Sequence, residues 1–115
     1  MSVAHTALAE KSCTPCKAGT PPLDAETQKQ LLAELNSWEI VDAHHLHRTL
    51  KFPDFVSALA FVNEVGKVAE AEGHHPNIFL TWGEVSIDIW THSIDSLSES
   101  DFVLAAKIDA VCITE

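Results

Sequence analysis

Two apolar segments of period two, Asn77 to Trp82 and Val85 to Thr91, flank a single Gly83-Glu84 pair, and this constrains the chain more than any other feature. Alternation at period two marks half-buried strands, and a Gly-X pair suits a two-residue hairpin turn. An antiparallel hairpin with one apolar face needs something to cover that face. The rest of the sequence supplies helices for it. If the turn holds only Gly83 and Glu84, Trp82 faces Val85. Ile78, Leu80, Val85, Ile87 and Ile89 then share the apolar side with Trp82 beside them, and Asn77, Phe79, Thr81, Ser86, Asp88 and Trp90 share the other.

Upstream, Asp24 is a plausible N-cap for a helix through Leu31, Leu32 and Leu35, stopping near Asn36. Trp38 to Val41 reads as a short strand. After a turn at Asp42-Ala43, His45 to Phe52 alternates, with Leu46, Arg48, Leu50 and Phe52 on one face and His45, His47, Thr49 and Lys51 on the other. His44, His45 and His47 thus spread over two faces. Pro53-Asp54 opens a second helix, with Phe55, Leu59, Val62, Gly66 and Ala69 as its expected buried stripe and Gly73 as its C-terminal cap. Ser98-Glu99-Ser100-Asp101 begins a last helix as a capping box, Asp replacing the usual Glu, and Leu104, Ile108, Val111 and Cys112 form its stripe. The order is α-β-β-α-β-β-α: an α+β, two-layer domain, a four-stranded antiparallel sheet with three helices on one face. Residues 23–115 form this domain, and residues 1–22 read as an extended or loosely docked leader ending in Gly19-Thr20-Pro21-Pro22.

With 115 residues there is room for one domain, small enough that oligomerisation would be a natural supplement to its core. A net charge of −10, with no clustered Lys or Arg, disfavours binding to nucleic acid or to an anionic membrane surface. No run approaches the roughly 18 apolar residues of a membrane span. The first residues lack both a basic leader and a long apolar stretch, so a cytoplasmic protein is expected. Cys13, Cys16 and Cys112 are too few for a disulfide framework, and the Cys13-Cys16 CxxC lacks the second pair of a closed zinc site.

Extended past the strand, the hairpin register sets His75 directly across from His92, with Cβ atoms roughly 5 Å apart. His74 adjoins the strand entrance, and Glu70 lies four residues earlier in the last turn of the helix. Imidazoles donate and accept protons near neutrality, and Phe79, Trp82 and Trp90 could line or buttress a slot for a flat ring. Two other readings stand beside this one. His74-His75-Pro76 also reads as a polar loop entering a strand, and Asp101 as a helix-start residue. Glu70, His74, His75 and His92 also form a conceivable metal-binding set, although adjacent histidines usually diverge.

The series Glu70, His74-His75-Pro76, Trp82, His92 and Asp101, at its spacings, resembles the signature of the pterin-4a-carbinolamine dehydratases. The resemblance covers about residues 23 to 113. It implies a cofactor-free lyase that removes water from 4a-hydroxytetrahydropterin to give quinonoid dihydropterin, recycling the pterin of aromatic amino-acid hydroxylases. Its implied catalytic residues are His74 and His92 for proton transfer and His75 for orienting the substrate. Glu70, Asp101 and Trp82 are implied as supporting or substrate-binding, and no metal is implied. A homodimer or homotetramer is expected, with a small pterin as the substrate. Some animal relatives also act as dimerisation cofactors of a transcription factor, so a non-catalytic interaction role is the alternative. Gly73 and Ser100 depart from the family pattern, standing where relatives often carry an acidic residue and, in some, Arg.

Overall fold

The computed structural model describes residues 8–11, 13 and 21–113, without the side chains of the last two of these. Strand β1 spans Glu39–Val41, β2 His45–Lys51, β3 Asn77–Thr81 and β4 Glu84–Ile89. Helix α1 spans Ala25–Leu32, α2 Phe55–Glu72 and α3 Glu99–Ile113, in the expected order. The strands form one antiparallel sheet in the order β1-β2-β4-β3, so β4 is central and β3 lies at an edge. Leu46, Val85, Ile87 and Ile89 point from the sheet into a core completed by Ala58, Phe61 and Val65 of α2 and by Phe102, Leu104, Ala105 and Ile108 of α3.

Local chemistry starts each helix. The Asp24 carboxylate accepts from Thr27 N–H and that of Asp54 from Ser57 N–H, both at 2.8 Å. These amides hold both carboxyls below their ordinary value. Asp54 is therefore the cap of α2, with Pro53 one residue before the cap. Helix α1 ends at Leu32, short of Asn36, in a run of turns. Gly73 closes α2 in the left-handed region at φ 66°, where a side chain would be strained.

Two packing expectations change. The buried stripe of α2 is Ala58, Phe61, Val65 and Ala69, while Phe55 and Leu59 are exposed. Both stripes have helical spacing, because α2 is apolar around most of its circumference; the sheet and α3 together decide which is covered. The hairpin turn is Trp82-Gly83, with Thr81 facing Glu84 and Leu80 facing Val85. Glu84 belongs to the strand and pairs with Lys51 of β2. Gly83 suits a close approach here: an added Cβ would lie 3.0 Å from the carbonyl oxygen of Phe52. Sliding the pairing by two positions preserves the parity of the strands, so the face assignments hold although every partner changes.

One polar network ties three elements. Asp109 of α3 accepts from Asn36 N–H at 3.0 Å, Trp38 Nε1–H at 2.8 Å and Arg48 Nη1 at 2.5 Å. Burial pushes its carboxyl above the ordinary value, and these three donors act against that push. Of the leader, Leu8 inserts into the core and Lys107 donates to Ala9 O at 2.9 Å. Cys13 N–H reaches Glu72 at 2.8 Å, and burial, followed by the Glu72 charge, pushes the Cys13 thiol up to about 12. Cys16 and the Cys112 side chain lie outside the described residues.

Candidate active site

Helix α2 ends, the chain turns at Gly73, and His74-His75-Pro76 leads into β3; alongside, β4 runs out through Trp90 and Thr91. The His92–Ile94 segment is a short 3-10 turn, so His92 is not a strand residue. The expected pairing of His75 with His92 does not form: β3 begins at Asn77 and β4 ends at Ile89. The Thr91–Ser96 bridge bends the chain back on itself just beyond the strand, with Thr91 N–H bonded to Ser96 O at 2.9 Å. The histidines nevertheless meet. A cleft of about 280 Å³ is lined by Gly73, His74, His75, Trp90, Thr91, His92 and Ser93.

Each imidazole is held differently. His74 Nε2–H donates to Asp101 Oδ1 at 2.6 Å. Asp101 is completely buried at the start of α3, and its Oδ2 accepts from Ser98 N–H and Thr91 Oγ1–H, both at 2.8 Å. Since the Thr91 hydroxyl gives its proton to Asp101, it accepts from Ser98 Oγ–H at 2.8 Å. Asp101 therefore supplies the carboxylate half of the expected capping box, its N–H going to Ser98 O at 3.1 Å, and fixes His74 with the same carboxylate. With Nε2 committed, Nδ1 is the His74 nitrogen left to accept a proton. His75 Nε2–H donates to Glu70 Oε2 at 2.6 Å, in an exposed pair. The His92 ring packs on the Trp90 indole, with centroids 4.6 Å apart.

Trp82 stands apart. It occupies the hairpin turn, 66% exposed, at the end of β3 away from the cleft, about 16 Å along the strand. Thr91 and Ser98 entered no site expectation, because a hydroxyl's role in orienting a carboxylate leaves no trace in spacing. His44, His45 and His47 gather beside Asp88, Asp95 and Trp90 on the open sheet face rather than scattering. Among the described residues no three His, Cys, Asp or Glu side chains converge on a metal-sized site. The adjacent His74 and His75 turn to different carboxylates, on α3 and α2 respectively. No helix among the described residues is long and apolar enough to cross a membrane.

Comparison with known proteins places this chain in a family. The family model described as pterin 4 alpha carbinolamine dehydratase matches residues 21–111. A relative from Rubrobacter xylanophilus, provisionally named a pterin-4-alpha-carbinolamine dehydratase, is 54% identical over 102 residues, covering 89% of this chain and 95% of the relative. One of the same provisional name from Alkaliphilus metalliredigens is 52% identical over 103 residues, covering 89% and 93%. The crystal structure of a transcriptional coactivator/pterin dehydratase from Brucella melitensis superposes with a TM-score of 0.75 at 30% identity, over 79% of this chain and 98% of that one. A pterin dehydratase-like protein identified as a RuBisCO assembly factor in the alpha-carboxysome is more distant, with a TM-score of 0.58 at 26% identity over 66% and 89%. On its sequence and its fold alike, the chain belongs to the pterin 4 alpha carbinolamine dehydratase family.

Proposed function

We propose that this chain is an active pterin-4a-carbinolamine dehydratase, converting 4a-hydroxytetrahydropterin to quinonoid dihydropterin and water. The observation that carries the reading is the meeting of His74, His75 and His92 in one cleft of a chain from that family. In this reaction the C4a–O bond breaks and the departing hydroxyl takes a proton from a general acid. N5 gives its proton to a general base, and the electron pair left on N5 forms the N5=C4a double bond. Both transfers are proton movements near neutrality, which imidazoles perform without a metal or redox cofactor.

In our reading His74 and His92 act from opposite faces of the ring, one giving and one taking the proton. Asp101 fixes the tautomer of His74, and the Glu70-braced His75 holds and orients the pterin. Residues 23–115 are the catalytic domain and residues 1–22 its leader. The protein works in the cytoplasm as a homodimer or homotetramer in recycling hydroxylase pterin.

The test is turnover of enzymatically generated 4a-hydroxytetrahydropterin. His74→Ala and His92→Ala are each expected to lower kcat by about a hundredfold, the usual scale of one acid–base group. Full activity in the double variant would remove both residues from the chemistry. Undiminished activity after exhaustive chelation is also expected, and its loss would favour a metal-bound site.

A further inference from the structure

His92 differs from its two neighbours in what holds it. His74 and His75 each commit a ring nitrogen to a carboxylate, whereas the His92 ring makes no side-chain hydrogen bond among the described residues. The terminal torsion of a histidine is broad and roughly two-fold, so without a hydrogen bond only packing selects the ring's orientation. That packing comes from Trp90, whose indole lies 4.6 Å from the imidazole, centroid to centroid, at a tilt of 56°.

Trp90 is itself braced. Its indole also meets His44 at 5.1 Å and His45 at 5.8 Å, and those two imidazoles meet edge to face with Nδ1 atoms 3.1 Å apart. His44 sits at the end of the tight β1–β2 connection, after Asp42 and Ala43 at φ 55° and 54°, and its N–H returns to Val41 O at 2.9 Å. From there His44 Nε2–H donates to Asp95 Oδ1 at 2.8 Å. Asp95 is the left-handed residue that closes the 3-10 turn carrying His92, and its N–H bonds back to His92 O at 3.2 Å. His44 thus supports His92 twice, through the indole and through the turn.

The geometry points to Trp90 as the positioning residue for His92, with His44 as the buttress that fixes both the indole and the 92–95 turn. This rests on the dehydratase reading for its consequence, because proton transfer tolerates only small errors in the placement of the ring. It does not rest on that reading for the orientation itself. The Asp95 side chain of the His44–Asp95 pair is 85% exposed, so the pair contributes little to global stability and can be cut without unfolding the chain.

The experiment uses the full chain with Trp90→Leu, Trp90→Phe and His44→Ala. It measures kcat, KM and the proton resonances of the His92 ring, which the nearby indole shifts by its ring current. Trp90→Leu is expected to lower kcat about tenfold with KM changed less than about twofold, as for a group that places a catalytic ring without binding substrate. The His92 resonances should move toward those of an unstacked histidine. Trp90→Phe should restore most of both effects, and His44→Ala should give a smaller change of the same kind. Unchanged kcat and unchanged resonances in Trp90→Leu would overturn the inference. So would a raised KM at unchanged kcat, which would make Trp90 a substrate contact. If Trp90→Leu fails to fold, His44→Ala decides by the same two readouts. If the native protein shows no turnover, the dehydratase reading alone falls, and the His92 resonances still decide whether Trp90 sets the ring.

Discussion

The two oxygens of Asp101 are divided between structure and site. Oδ2 caps the start of α3 and accepts from Thr91, while Oδ1 alone faces His74. In Asp101→Asn the amide oxygen is expected to stay with the two donors of the cap, which turns the NH2 group toward His74 Nε2. That nitrogen must then accept, so its proton moves to Nδ1 and the wrong tautomer faces the substrate. The expected outcome is a kcat reduced by about a hundredfold with a stability loss of only about 1–3 kcal/mol. Kinetics and thermal unfolding on one sample check it; activity falling only in step with the folded fraction would refute it. The capping box was legible from Ser98 and Asp101, because it is local. The bond to His74 spans 27 positions, and no periodicity encodes it; only the family resemblance marked Asp101 as a supporting residue. The contact of Trp90 with His44 is equally invisible, since it depends on which strand lies beside β4.

At the level of the elements, the helix starts make the clearest prediction. Asp24 and Asp54 are held below their ordinary value by the amides they cap. Folded values below unfolded ones mean that their contribution is fully present above the unfolded value of about 4 and is lost as pH falls through the folded values. Asn caps a helix about as well as Asp but does not titrate in this range. Asp54→Asn is therefore expected to match the native protein in thermal unfolding at neutral pH and to lose less stability between about pH 5 and pH 2. Identical acid profiles would show that this cap carries no pH dependence. The caps at Asp24 and Gly73 were legible because each depends on one residue and its immediate neighbours; Asp54 was legible only as part of the helix opening, and the structure makes it the cap. The covered stripe of α2 was not, because Phe55, Leu59 and Val62 repeat as regularly as Ala58, Phe61 and Val65. The hairpin was legible as a hairpin, but its turn was placed one residue late. The close approach at Gly83 comes from the Phe52 carbonyl, in the segment just beyond β2 and far from the hairpin in sequence. The faces of β3 and β4 survived that error because parity was kept; the partner of His75 did not.

Across the whole molecule, the side of α2 left uncovered adds to an apolar surface. Phe55, Val56 and Leu59 at the start of α2, with Phe79 and Trp82 on β3 and its turn, remain exposed. Phe52 N–H bonds to Gly83 O at 2.8 Å, so the turn carrying Trp82 lies against the residues that lead into α2. Among the described residues strand β3 pairs only with β4, which leaves the hydrogen-bonding groups of its outer edge unpaired by any of them. Exposed apolar side chains beside an open strand edge suit association, and the homo-oligomer proposed above would cover them. Charge opposes it: each copy carries −10, and like charge repels over the full Debye length, about 30 Å in 0.01 M salt but about 8 Å at 0.15 M. An interface built on these apolar residues should therefore tighten as salt rises from 0.01 to 0.15 M. One held by ion pairs across it would loosen instead. Light scattering over a concentration series is expected to give a multiple of 12.6 kDa at 0.15 M salt, with partial dissociation at 0.01 M. Val56→Lys and Trp82→Ser should each shift the protein toward the monomer while leaving its circular dichroism unchanged. An oligomer that dissociates as salt is added, or one indifferent to both substitutions, would place the interface elsewhere on the molecule.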